Sequence, residues 1–244
     1  MAKRRLDALL VDRGLAESPE KARALVMAGQ VTVDQRPAPK AGSLVAEDVA
    51  LAVDLGPRYV SRGGEKLEHA LEKFGIAANG LVAADIGAST GGFTDCLLQH
   101  GASRVYAIDV GRGQLDYRLQ RDDRVVSMET TNARDLASLP EPISIAVIDV
   151  SFISLQTILP AVARLLAAGA PIVALFKPQF EAARDEVPRG GVIRDAQLHS
   201  ILIGRFAAWA VTHGFSIRDL VASPILGAEG NREFLFDLRA EPSR

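Results

Sequence analysis

From residue 65 onward, short apolar runs of strand length alternate with longer segments whose apolar residues recur at helical spacing. This alternation constrains the fold more than any other feature, because it is typical of a mostly parallel sheet with helices on both faces. It predicts an α/β, doubly wound, Rossmann-like domain over residues 65–244. Strands are predicted near 81–85, 104–109, 125–128, 143–149, 171–177, 214–221 and 233–238, and helices at 65–74, 92–99, 155–167 and 195–212.

Residues 1–57 follow another pattern and predict a small α+β domain. Leucines at helical spacing predict a first helix that ends at Gly14. Ser18 before Pro19 predicts the N-cap and first residue of a second helix, which ends at Gly29. Short strands are predicted at 31–33 and 49–53, a turn at 34–35, and a linker between the two domains at 58–64.

Charge is distributed unevenly along the chain. Residues 1–40 carry eight lysines and arginines and five acidic residues, so they are net +3, while the whole chain is net −2. A basic end on an acidic body is typical of a nucleic-acid-binding module joined to an enzyme, although an ordinary solvated face gives the same pattern. The side chains expected on outward helix faces, where they can meet phosphates, are Arg4, Arg5, Lys21 and Arg23.

Composition excludes several classes of protein. No apolar run approaches the roughly 18 residues that a membrane span requires, and no apolar signal-peptide region follows the basic N-terminus. We therefore expect a cytoplasmic protein with no membrane partner. A single cysteine, Cys96, excludes a disulfide framework, and the histidines show no metal-ligand spacing, so no structural metal is predicted.

Residues 81–94 run from an apolar strand through a glycine-rich loop into a helix. Such glycines let the backbone approach a ligand, and Asp109 ends the next strand, where it can hydrogen-bond a ribose. Ser89 breaks the G-x-G-x-x-G spacing of dinucleotide enzymes, and Asp85 suits the cationic methionine end of S-adenosylmethionine better than a pyrophosphate. S-adenosylmethionine is the predicted cofactor; a nicotinamide cofactor or a plain turn is the weaker alternative. The predicted cofactor-binding residues are Asp85, Gly87, Ala88, Ser89, Thr90, Gly91, Gly92, Phe93 and Asp109.

Two features of other methyltransferases are missing from the sequence. Cys96 lacks the Pro-Cys context of a cytosine-C5 nucleophile. Residues 149–152 are Asp-Val-Ser-Phe where amino-group methyltransferases commonly have Asn-Pro-Pro-Tyr. A hydroxyl acceptor remains, and it requires a base. The candidates at strand or helix ends are Lys66, Asp149, Lys177 and Glu233, with an ordinary surface lysine as the alternative for Lys177.

Residues 5–10, 18–26 and 29–33 resemble the S4 RNA-binding domain. Residues 62–67, 85–94, 149–154, 176–181, 190–195 and 230–234 resemble the TlyA family, which joins an S4 domain to an FtsJ-like catalytic domain and is often labelled haemolysin. The resemblance implies methylation of the ribose 2′-OH of a cytidine in ribosomal RNA of a ribosomal subunit. The large-subunit 23S RNA is the expected target and 16S RNA a further one. It also implies a catalytic tetrad of Lys66, Asp149, Lys177 and Glu233.

In this interpretation Lys177 accepts the hydroxyl proton, and the other three residues orient both the Lys177 amine and the hydroxyl. Like charge from Lys66 favours the neutral amine that a base needs, whereas the two carboxylates oppose it. Arg62 is a further expected RNA contact, and residues 178–189 are either a substrate loop or a solvated connector. A membrane-active haemolysin and a non-catalytic ribosome-binding module are the alternative functions.

Overall fold

The computed structural model describes residues 2–54 and 56–241. The chain divides between Arg58 and Tyr59 into two compact units, termed here the N-terminal and the C-terminal unit. The N-terminal unit contains β1 (Lys3–Arg5), α1 (Leu6–Asp12), α2 (Pro19–Met27), β2 (Val31–Val33), β3 (Arg36–Pro37), β4 (Leu44–Ala46) and β5 (Leu51–Val53).

Local sequence signals explain the helices and the tight turn of the N-terminal unit. The Ser18 hydroxyl accepts a hydrogen bond from the Lys21 backbone N–H at the start of α2, and Pro19 is the first helical residue, as predicted. Asp34 and Gln35 have φ values of 50° and 62°. Two left-handed residues form the hairpin turn that matches strand twist, and they connect β2 to β3.

Strand β1 was not expected from the sequence. It pairs antiparallel with β4, whereas β3, β2 and β5 form a separate sheet. Arg4 and Arg5 therefore lie on a strand, and their predicted position on a helix face is wrong. The sequence of β1 consists of exposed cations and lacks the apolar alternation that predicts a strand. It is a strand only because it pairs with β4. The buried core of this unit contains Leu6, Leu10, Ala22 and Val31.

The C-terminal unit contains α3 (Gly63–Phe74), β6 (Val82–Ile86), α4 (Gly92–Gln99), β7 (Arg104–Ile108), α5 (Tyr117–Gln120), β8 (Val125–Met128), β9 (Ile145–Ile148), α6 (Leu155–Ala163), β10 (Pro171–Phe176), α7 (Pro178–Glu181), α8 (Ala196–Thr212), β11 (Phe215–Ala222) and β12 (Phe234–Ala240). A 3-10 turn, Ala133–Asp135, lies between β8 and β9.

The C-terminal unit is built on one sheet with the order β11-β12-β10-β9-β6-β7-β8. Its strands run parallel except β12, which is antiparallel to both neighbours. The chain reaches the β8 edge and then returns to place β9 beside β6. This reversal of strand order opens a crevice at the carboxyl ends of β6 and β9, where ligands of doubly wound sheets bind. The predicted doubly wound α/β fold is confirmed.

Apolar residues cover both faces of this sheet. One cluster packs α6 and α8 against one face and includes the aromatic contacts of Phe176 with Phe206 and Phe236. The other packs α3 and α4 against the opposite face, and the predicted core residue Cys96 is buried in it. Within the described part of the chain, no helix has both the length and the apolar character to cross a membrane.

The linker predicted at 58–64 is wrong from Tyr59 onward. Tyr59 is buried, the Val60 N–H donates to Asp95 Oδ2 over 2.9 Å, and α3 already begins at Gly63. A Cβ at Gly64 would lie 2.2 Å from a ring carbon of Tyr59. In the sequence the paired glycines indicate a linker. In the structure the missing Cβ of Gly64 instead allows the tyrosine ring to pack against α3.

Candidate active site

Two adjoining cavities open at the carboxyl ends of the parallel strands. The strand-end cavity has a volume of about 450 Å³ and lies over β6, β7 and β9. The lysine cavity has a volume of about 310 Å³ and lies between α3, the glycine-rich loop and the end of β10. The residues that line both cavities are Gly87, Ser89, Asp149 and Ser151.

The glycine-rich loop after β6 forms the wall between the cavities. Gly87 has φ +86°, and a Cβ there would lie 2.3 Å from the Asp149 carbonyl oxygen. Gly91 has φ +98°, and its Cβ would lie 2.2 Å from Leu119. Both positions therefore require glycine. Gly91 lines neither cavity, whereas Ala88, Thr90, Gly92 and Phe93 line the lysine cavity.

Asp85, predicted as a cofactor-binding residue, lies behind this wall and lines neither cavity. It is fully buried, and its Oδ2 accepts a 2.7 Å hydrogen bond from the Thr94 hydroxyl. Its Oδ1 has no hydrogen-bond partner among the described residues. Burial raises the pKa of Asp85 to about 7, against the hydrogen bond from Thr94, which lowers it. Asp85 Oδ1 is therefore a buried acceptor behind the glycine-rich loop that receives no hydrogen bond from the described residues.

Asp109, predicted to hydrogen-bond the cofactor ribose, follows the end of β7 and lines the strand-end cavity. Its Oδ2 accepts from the Ser89 N–H over 2.8 Å, and its Oδ1 accepts from the Gly111 N–H over 2.7 Å. Each oxygen keeps a further lone pair for a ligand. Asp109 thus holds the glycine-rich loop to the next strand and also faces the cavity.

Several residues of the strand-end cavity were missed in the sequence. They follow the ends of β7, β8 and β9, so the rule that strand ends converge could have found them. Phe152 among them is 91% exposed, and its ring contacts Phe180 with centroids 5.0 Å apart. The missed polar and apolar lining residues include Val110, Gln114, Thr131, Asn132, Arg134, Val150, Phe152 and Ile153.

All four members of the predicted tetrad line the lysine cavity. Lys66 Nζ lies 2.5 Å from Glu233 Oε2, and both side chains are buried. Lys177 Nζ lies 2.6 Å from Asp149 Oδ1 and donates to Ser151 Oγ over 3.0 Å. The tetrad therefore forms two ion pairs. Lys66–Glu233 joins helix α3 to the chain before β12, and Lys177–Asp149 joins the ends of two adjacent strands.

Ser151 is a contact of Lys177 that sequence reasoning did not identify as a site residue. It lies two residues after Asp149, in the stretch that leaves β9. Arg62, predicted as an RNA contact, also lines the lysine cavity, where it is exposed. The cavity thus combines two neutralised pairs with one additional cation.

The predicted cations of the N-terminal unit are largely engaged by carboxylates. Arg5 donates to both oxygens of Asp7 over 3.0 and 2.7 Å, and Arg23 donates to Asp7 over 3.2 Å. These arginines hold the pKa of the buried Asp7 carboxyl well below its usual range. Arg4 pairs with Asp12 and with Glu47, and Lys21 is exposed. The side chains of Arg5 and Arg23 remain 54% exposed, which leaves them open to phosphates.

Residues 178–189, predicted as a loop, begin with the short helix α7. Just beyond this segment, Asn231 holds residues 191–193: its Oδ1 accepts from the Ile193 N–H over 2.9 Å, and its Nδ2 donates to the Gly191 carbonyl over 3.0 Å. No cluster of His, Cys, Asp and Glu suited to a metal ion occurs in residues 2–54 and 56–241.

The fold and the two cavities define an α/β methyltransferase preceded by a small α+β domain. The C-terminal unit matches the FtsJ-like methyltransferase model over residues 59–240, and the S4 domain model matches residues 4–49. The chain belongs to the FtsJ-like methyltransferase family.

Relatives along the full chain agree with this assignment. The 16S/23S rRNA (cytidine-2′-O)-methyltransferase TlyA of Mycobacterium tuberculosis is 46% identical over 251 residues, which cover 100% of this chain and 93% of that protein. Hemolysin A of Brachyspira hyodysenteriae is 43% identical over 234 residues, covering 95% of this chain and 98% of that protein. The predicted resemblance to the TlyA family is confirmed.

A solved structure from Streptococcus thermophilus, described as a hemolysin, superposes with a TM-score of 0.75. It is 45% identical and covers 100% of this chain and 90% of that chain. The match extends through both units of the chain.

Proposed function

We propose that this protein transfers a methyl group from S-adenosylmethionine to the ribose 2′-OH of a cytidine in ribosomal RNA. The acceptor lies within a ribosomal subunit in the cytoplasm, and the S4 domain assists binding. The observation that carries the proposal is the lysine cavity, where Lys177, Asp149, Lys66 and Glu233 adjoin a cavity of nucleoside size. The names of the relatives support the cytidine and the ribosomal RNA.

The residues of the strand-end cavity fit S-adenosylmethionine. The loop backbone at Gly87 lines this cavity, and Asp109 supplies carboxylate lone pairs suited to a ribose diol. When bound, S-adenosylmethionine supplies a methyl group on a positively charged sulfur.

Lys177 is the proposed base. A ribose hydroxyl is a weak nucleophile, and it must lose its proton as its oxygen bonds to carbon. Lys177 Nζ accepts that proton, and the resulting ammonium is held by Asp149 Oδ1 and Ser151 Oγ, the two contacts present in the structure. The Lys66–Glu233 pair borders the same cavity and orients the hydroxyl.

Phe152 is the proposed contact for the base of the target nucleotide. An aromatic side chain that is 91% exposed at a cavity mouth is a stacking surface for an unpaired base. Phe152→Ala is expected to raise the KM for RNA about 5- to 150-fold, since stacking contributes roughly 1–3 kcal/mol per base, and to change the KM for the cofactor much less. Steady-state kinetics with each substrate varied in turn measures both values, and Phe74→Ala on α3 is the aromatic control.

The proposed function is tested by transfer of a labelled methyl group from S-adenosylmethionine to purified 30S and 50S subunits that lack the modification. Incorporation into ribosomal RNA that renders one cytidine linkage resistant to alkali supports the proposal and identifies the nucleotide. Tight cofactor binding without transfer to either subunit contradicts it, and lysis of protein-free liposomes would point to the haemolysin alternative.

A further inference from the structure

Glu181, the last residue of α7, joins two segments of the active site. Its Oε1 accepts from the Leu155 backbone N–H over 2.7 Å, and its Oε2 accepts from the Ser154 hydroxyl over 2.6 Å. Ser154 is also the N-cap of α6, because its hydroxyl accepts from the Gln156 N–H. Glu181 is half-buried there, and both of these donors are neutral. A helix N-terminus is a favourable place for a carboxylate.

The two joined segments are the ones that carry the Lys177–Asp149 pair. The chain runs from Lys177 directly into α7 and reaches Glu181 within one helical turn. The other segment leaves β9 at Asp149, passes Ser151 and enters α6 at Leu155. The segments are therefore connected at both ends: by Lys177 with Asp149 and Ser151 at one end, and by Glu181 with α6 at the other.

An aromatic contact lies between these two connections. Phe180, adjacent to Glu181, packs against Phe152 of the opposite segment. The Lys177 amine lies 5.9 Å from the centroid of the Phe180 ring. Any displacement of α7 from α6 would move this ring and the backbone that carries Lys177 together.

We propose that Glu181 is a positioning residue for Lys177: by clamping α7 to the first turn of α6, it holds the lysine amine against Asp149 and Ser151. The inference rests on the proposed function, since it takes Lys177 as the base of methyl transfer. The clamp itself contributes no side chain to the strand-end cavity, because no residue of α7 lines it.

A matched control lies in the same stretch of chain. Glu186 also accepts one backbone N–H and one side-chain donor, from Ala183 over 2.9 Å and from Arg205 over 2.7 Å. It lines neither cavity. Replacing it therefore removes equivalent contacts without touching the segment that carries Asp149.

The first measurement is independent of catalysis. Acetic anhydride acetylates a lysine of the full-length protein faster when its amine is more accessible and less engaged in contacts. Mass spectrometry then resolves Lys177 from Lys66. Glu181→Ala is expected to raise labelling of Lys177 several-fold while Lys66, held by Glu233, stays as in wild type. Glu186→Ala should leave both lysines unchanged. Equal labelling of Lys177 in wild type and Glu181→Ala would overturn the inference.

The second measurement uses methyl transfer. Glu181→Ala is expected to lower kcat about 10- to 100-fold with the KM for the cofactor within about twofold, because displacement of a reacting group by an ångström costs rate rather than affinity. Glu181→Gln keeps an acceptor for the Leu155 N–H and should recover most of kcat. Ser154→Ala, which removes one of the two bonds, is expected to fall between and serves if Glu181→Ala does not fold.

The two hypotheses fail in different ways. A wild-type protein that methylates no ribosomal RNA contradicts the proposed function, while lysine labelling still tests the clamp. An active wild type with Glu181→Ala indistinguishable from Glu186→Ala in kcat and labelling contradicts the clamp and leaves the proposed function standing.

Discussion

Lys66–Glu233 and Lys177–Asp149 are both close lysine–carboxylate pairs in one cavity, with separations of 2.5 and 2.6 Å, yet their surroundings differ. The Lys66 and Glu233 side chains are 10% and 4% exposed, and the pair joins α3 to the chain entering β12. Lys177 is equally buried at 11%, but its partner Asp149 is 24% exposed and lines both cavities.

We infer from this difference that the Lys66–Glu233 pair is mainly architectural and the Lys177–Asp149 pair mainly catalytic. A pair with both members buried holds elements together, and removal of one member leaves an uncompensated charge without water. A pair with one partly exposed member can exchange its partner for a substrate hydroxyl. We therefore expect disruption of the first pair to affect stability most, and disruption of the second to affect rate most.

The largest expected effect is on catalysis. Lys177→Met should lower the methyl-transfer rate about 10²- to 10⁴-fold, the usual contribution of a positioned acid or base, with cofactor binding retained. Single-turnover transfer to ribosomal subunits measures the rate, and isothermal titration measures cofactor binding. Lys73→Met, at an exposed lysine of α3, is the control. A Lys177→Met protein with wild-type turnover would exclude this lysine as the base.

The second largest effect is on stability. Glu233→Gln should cost about 3–5 kcal/mol of unfolding free energy, since it leaves buried Lys66 without its counter-charge. Urea unfolding followed by Trp209, the single tryptophan, reports on the C-terminal unit. Asp149→Asn should cost less, because water reaches the partly exposed site. Equal costs for the two variants would remove the distinction between the pairs.

Asp85 extends the comparison to a buried carboxyl with no cation among its hydrogen-bond partners. Its folded-state pKa of about 7 exceeds the ordinary value of 3.8, so the folded state binds more protons between these pH values. Its contribution therefore makes the folded state less stable as pH rises from about 4 to about 7. Asp85→Asn should remove this decline and be more stable than wild type at pH 8 by about 1–3 kcal/mol. Urea titrations of both proteins across pH 4–8 measure the difference, and parallel curves would contradict it.

The smallest expected effect is at the exposed pair of Arg4 with Asp12 in the N-terminal unit. Arg4→Gln should change stability by less than about 1 kcal/mol, because water screens exposed ion pairs. If Arg4 meets a phosphate, the variant lowers the slope of log affinity for ribosomal RNA against log salt by about 1. Thermal unfolding and RNA binding at several salt concentrations measure the two effects. An unchanged salt slope would remove Arg4 from the predicted RNA contacts.

The sequence predicted the C-terminal unit better than the N-terminal unit, because the alternation of apolar strands and helices is more pronounced there. Long apolar strands that end in Asp149 and Lys177 predicted both the parallel sheet and the convergence of these residues. The strand Lys3–Arg5 has no such pattern and depends on pairing with β4. The two glycines at 63–64 indicated a linker, yet they begin a helix, since the missing Cβ admits the ring of Tyr59.

The sequence also predicted one part of the candidate site and not the other. Residue type and position at a strand or helix end identified Lys66, Asp149, Lys177 and Glu233. Nothing in the sequence indicated which lysine pairs with which carboxylate, that Asp85 lies behind the cavity wall, or that Glu181 reaches α6. These facts depend on packing distances between segments far apart in the chain.

The sequence by itself determined the α/β alternation, the glycine-rich loop, the four charged residues and the basic first domain, because each is encoded by local spacing and residue type. Tertiary structure alone decided the pairing and exposure of those charges. Lys66 and Glu233 are separated by 167 residues in the chain and by 2.5 Å in space. Burial and ion pairing arise only when packed elements exclude water, and no local pattern specifies which distant side chain then lies within reach.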